Sequence, residues 1–81
     1  MIVLTFPSIA KGETVIRAQD AVTGLDVTVG CCWRVRGEWA ADLYAMADHP
    51  GTRAAHVDRR TLAELRDAVC GRLERSGKWW R

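Results

Sequence analysis

Two histidines, three cysteines and ten acidic side chains are the groups in this 81-residue chain that could carry catalysis or hold a metal, and their spacing organises none of them. His49 and His56 flank a predicted turn, and neither a Cys-x-x-Cys nor a His-x-x-x-His pair occurs. Cys31 and Cys32 are adjacent, so on a strand their thiols point to opposite faces and do not form one two-thiol ligand. Cys31 is expected to face the core and Cys70 lies near a helix boundary, which gives both the role of small buried hydrophobes. No metal and no cofactor are expected. A nucleophile, base and orienter can be drawn from Cys32, His49 or His56, and Asp48 or Asp58, but no spacing places them within hydrogen-bond reach. Gly24, Gly30 and Gly37 make neither a phosphate loop nor a dinucleotide-binding pattern. A chain this short leaves little volume for a substrate pocket of about 300–1,000 Å³. The expected class is therefore non-catalytic.

What remains is surface chemistry. The formal net charge of +2 is unevenly placed: residues 1–50 hold four basic and six acidic side chains, residues 51–81 eight basic and four acidic. Such asymmetry fits an anionic partner. Along the C-terminal segment, however, Arg60, Glu64, Asp67, Glu74, Arg75 and Lys78 share one helical face, and that mixture of signs is the pattern of a solvated helix. A basic patch would have to combine Arg53 and Arg59, read as one loop before the helix, with the chain end and with Arg34 and Arg36 from the sheet. Trp79 and Trp80 are adjacent, so the two rings do not bury against one surface together, and an exposed Trp beside Arg is the composition of an interface hot spot. The residues expected to bind a partner are Trp79, Trp80, Arg81, Arg75, Arg34 and Arg36.

These groups need elements to position them. Hydrophobic residues make up 48% and charged residues 27%, ordinary for a folded chain, and 81 residues expect one domain over 1–81 with 78–81 as a short Trp/Arg tail. Met1–Phe6 alternates as a strand, Pro7 ends it and Lys11-Gly12 turns the chain. Residues 13–19 follow as a second strand, and 20–24 as a turn. From Leu25 to Arg36 the alternation is unbroken: Leu25, Val27, Val29, Cys31, Trp33 and Val35 on one face, Asp26, Thr28, Gly30, Cys32, Arg34 and Arg36 on the other. Gly30 in its middle marks a bulge or a close neighbour. Residues 38–48 fit either a helix, through Trp39, Leu43 and Met46, or a strand, through Trp39, Ala41, Leu43 and Ala45. A three-residue loop, Arg36–Glu38, would give a hairpin pairing Val35 with Trp39. Residues 48–51 are a turn. Leu62, Leu65, Val69 and Leu73 then form one apolar helical stripe, with Asp58 as a candidate N-cap and Thr61 and Glu64 at capping-box spacing.

The expected fold is α+β: an antiparallel sheet of three or four strands with one C-terminal helix packed on one face, Trp33 and Trp39 beneath it. No stretch approaches the roughly 18 apolar residues of a membrane span. Met1–Phe6 lacks the basic flank of a signal peptide, and an odd cysteine count makes no disulfide framework, so the cytoplasm is the expected compartment. Stand-alone chains of this size and class include small inhibitors carried by phages and other mobile elements, anti-CRISPR proteins among them. The functional expectation is a binding protein that blocks a larger protein or ribonucleoprotein. The alternative is a nucleic-acid-binding accessory protein that uses the basic C-terminal third, and a homodimer is compatible with either.

Overall fold

Lys11-Gly12, the segment 21–24 and Arg36-Gly37 each reverse the chain and close an antiparallel pair. The computed structural model describes residues 2–76. In chain order these form β1 (Val3–Thr5), β2 (Ser8–Ala10), β3 (Glu13–Asp20), β4 (Leu25–Val35), β5 (Glu38–Tyr44), β6 (Arg53–Arg59) and α1 (Leu62–Ser76). The sheet runs β1-β3-β4-β5-β6, and β2 also pairs with β3. β1 and β2 share one edge of β3, interrupted where Pro7 has no N–H to contribute, although its carbonyl still accepts a bond of 3.0 Å from Val15.

The α+β class and the single C-terminal helix are as expected. The strand count is not: six strands replace three or four. β2 escapes a pattern reading because all of its residues are exposed. β6 escapes because only Val57 in Arg53–Arg59 is fully buried, which leaves no apolar alternation to see. Residues 38–44 are strand, closing the question between helix and strand.

The covered face of the sheet holds Leu4, Ile16, Ala18, Val29, Cys32, Ala41, Leu43 and Val57 against Leu65, Val69 and Leu73 of α1. The expected stripe is thus the buried one, and α1 packs on β6, β5 and β1. Thr61 is the cap: its Oγ1 accepts from Glu64 N at 3.1 Å and its carbonyl from Leu65 N at 3.0 Å. Asp58 lies within β6 and plays no capping part. Among the described residues no helix is long and apolar enough to cross a membrane.

One bulge decides which side chains face where. Thr28 pairs with Arg17 and Gly30 with Ile16, so Val29 is an extra residue and the alternation of β4 changes phase there. Beyond it Cys32 points into the core at 2% exposure, while Cys31, Trp33 and Val35 fall on the uncovered face. This reverses the expectation for Cys31 and Trp33, and separates Thr28 from Cys32 and Arg34. Two contacts hold the bulge. The Asp48 carboxylate accepts from Thr28 N at 2.8 Å and Asp48 N donates to Thr28 O at 2.7 Å, so the β5–β6 loop occupies the backbone groups that β5 would have paired. Gly30 meanwhile lies so near β5 that a Cβ there would collide with the Asp42 carbonyl oxygen. The β4–β5 hairpin also differs in register: Val35 pairs with Glu38 and Arg34 with Trp39. Arg36 and Gly37 have φ of 53° and 80°, the two positive values of a two-residue type I′ turn, one residue shorter than expected.

Candidate functional site

Cross-strand register places Arg34, Trp39 and Arg59 in one row at the end of the sheet, on neighbouring strands β4, β5 and β6. The Arg34 guanidinium carbon stands 5.7 Å from the centre of the Trp39 ring, which is half-buried against the core. Arg59 Nη1 donates to the Asp58 carbonyl at 2.6 Å. Arg36 occupies the exposed turn beside Arg34, and Arg60 is exposed between β6 and α1. Among the described residues none of these four guanidiniums has a carboxylate partner within ion-pair distance. Two of them, Arg34 and Arg59, are held in place by a ring and a carbonyl, without an ion-pair partner among the described residues.

The structure therefore brings two of the expected binding residues, Arg34 and Arg36, together and adds Arg59 and Arg60 to them. Arg75 is exposed in the last turn of α1, about 20 Å along the helix axis from Leu62 at 1.5 Å per residue, and does not join this cluster. Trp79, Trp80 and Arg81 lie outside the described residues. Arg53, expected beside Arg59 in one basic loop, stands at the far end of β6. Reading 53–59 as loop hid this separation, since a seven-residue strand holds its two ends about 20 Å apart.

The uncovered face carries a second cluster. Asp42 of β5 is 8% exposed, and its carboxylate accepts from Arg53 Nη1 at 2.6 Å and contacts His56 Nδ1 at 2.8 Å. His56 Nε2 lies 3.0 Å from Asp58 Oδ1. Both ring nitrogens thus face carboxylates, and only the imidazolium can donate to both. The hydrogen bond to Asp42 is the main cause that lifts the His56 pKa above its ordinary value, with Asp58 adding to it. The Trp33 ring is tilted by 47° to the imidazole, centres 5.9 Å apart. Nearby, Ile9, Val15, Cys31, Trp33, Tyr44 and Pro50 line a groove of about 600 Å³ with Glu13, Thr28 and Asp48 at its polar margin, more volume than the length of the chain led us to expect.

Of the nucleophilic set drawn from the sequence, the structure brings His56 and Asp58 together at 3.0 Å but places Cys32 on the other face of the sheet. Cys32 lies on the covered face, and burial pushes its thiol up to about 11. Asp48 is tied to Thr28, and both nitrogens of His56 are occupied. Among the described residues no group of three or more His, Cys, Asp or Glu is placed to hold a metal ion. No family model matches the chain, and no curated protein or solved structure is significantly similar to it.

Proposed function

We propose that this protein is a non-catalytic binding protein that acts by occupying a surface of a larger protein or ribonucleoprotein, in the manner of a small inhibitor. One observation carries the reading: Arg34, Arg36, Arg59 and Arg60 gather at one end of the sheet, and among the described residues no carboxylate lies within ion-pair distance of any of them. The other two arginines of the sheet, Arg17 and Arg53, are paired at 2.7 Å and 2.6 Å with Asp26 and Asp42. The uncompensated group is the surface best suited to charge-assisted, bidentate contacts with an anionic partner, and its field raises the rate of encounter.

The test is capture of partners from a bacterial lysate by tagged protein, with and without nuclease, beside an Arg34→Glu/Arg59→Glu variant. A stoichiometric protein partner that survives nuclease and is lost with the variant supports the reading. Recovery that disappears with nuclease, and falls steeply with log salt at a slope of about −0.9 per contacted phosphate of duplex DNA, replaces it with direct nucleic-acid binding.

A further inference from the structure

We infer that the arginine end of the sheet takes a short acidic segment of a partner protein, two to four carboxylates presented together, and not a polyphosphate strand. The inference rests on the binding reading above and specifies its ligand. Arg34 and Arg59 stand two strands apart, about 10 Å at the ordinary strand spacing. That separation is bridged by carboxylates three or four positions apart on a helix or two apart on an extended chain, allowing for the reach of the guanidiniums. Both groups are already positioned, by the Trp39 ring and by the Asp58 carbonyl, so less side-chain freedom is lost when a carboxylate arrives.

Two features turn a nucleic acid away. The Trp39 ring is half-buried and Arg34 covers it, which removes the flat aromatic surface that single-stranded bases use. The positive region is also short. Glu38 and Asp58 stand at its margin, and toward the far end of the sheet, on the uncovered face, the Asp26 and Asp42 carboxylates are paired with Arg17 and Arg53. A phosphate backbone continuing past the four arginines would run onto carboxylates, whereas an acidic peptide can end where the patch ends.

The experiment uses the full chain and two fluorescent probes, a hexaglutamate peptide and an oligothymidylate of matched charge, read by anisotropy at low salt. Three proteins are compared: wild type, Arg34→Glu/Arg59→Glu, and Arg66→Glu/Arg72→Glu, which changes net charge equally on α1. Each is checked for an unchanged melting transition. The expected result is hexaglutamate affinity lowered about tenfold or more in the sheet-end variant and within about twofold of wild type in the helix variant. Equal losses in both variants overturn the inference, because the attraction is then general. Tighter binding of the oligothymidylate through Arg34 and Arg59 overturns it in favour of phosphate. If hexaglutamate fails to bind while wild type captures a protein from a lysate that the sheet-end variant loses, the acidic segment is wrong and the binding reading stands; if the variant keeps that protein, the arginine end is not the binding surface and both fall. If wild type captures no protein, the binding reading itself falls.

Discussion

Arg53 and Arg59 stand at opposite ends of β6 and put the same side chain to opposite uses. Arg53 closes onto the buried Asp42 and completes a network with His56 and Asp58. Among the described residues Arg59 bonds only a backbone carbonyl, and it keeps its charge beside Arg34, Arg36 and Arg60. One end of the strand is internally satisfied, and the other, among the described residues, is not. The difference comes from register: β6 meets Asp42 of β5 opposite His56, and Trp39 opposite Arg59. Charge on this surface is therefore informative only once the opposing residue is known.

The comparison can be broken or sharpened at several points. The largest effect is expected where the network end depends on close approach of β4 to β5. Gly30→Ala drives a methyl group into the Asp42 carbonyl, with a loss of about 3 kcal/mol, the upper part of the range for overpacking, in urea unfolding. Next, Asp42→Ala removes the acceptor that Arg53 and His56 share and should cost about 1.5–3 kcal/mol, since hydrogen bonds to a charged group are lost from a buried position.

A smaller effect is expected from pH. The folded pKa of His56 lies above its ordinary 6.5, so its stabilising contribution is complete below about pH 6.5 and is lost as pH rises through the folded value. The melting temperature should fall between pH 6 and pH 8, and His56→Gln should remove most of that slope. The Asp26 carboxyl, held below its usual range chiefly by its hydrogen bond from Arg17, acts only in acid and does not enter this window. Smallest of all, Arg34→Ala with Arg59→Ala should leave stability within about 0.5 kcal/mol, because neither neutralises a buried charge. A loss comparable to that of Asp42→Ala would make the two ends alike and undo the contrast.

Much of the framework is legible in the sequence. The stripe Leu62, Leu65, Val69 and Leu73, the cap at Thr61, the turn at Lys11-Gly12 and the strand from Leu25 all follow from local periodicity and turn chemistry. What escapes is decided by residues across the sheet. Alternation through Val29, Cys31 and Trp33 continues in the sequence while the backbone changes phase, because the bulge depends on Asp48 holding Thr28 and on the approach of Asp42 to Gly30. β6 is invisible for the same reason: β5 makes it a strand. Of the candidate site, Arg34 and Arg36 could be named from an exposed strand end and turn. Arg59 joins them only through Trp39, a relation that no local window contains.

The bulge at Val29 gives the protein an internal pair of chemical reporters. Neighbouring thiols differ in access: Cys31 lies half-buried on the uncovered face, and Cys32 is sealed at 2% exposure with its thiolate disfavoured at neutral pH. An alkylating reagent added to the native protein should therefore modify Cys31 promptly and reach Cys32 only when the sheet and helix part. In a Cys70→Ser background, the rate at which the second of two consecutive residues becomes labelled is a direct count of opening events. A one-residue slip in a strand thus equips the chain with both a clock and the reference against which to read it.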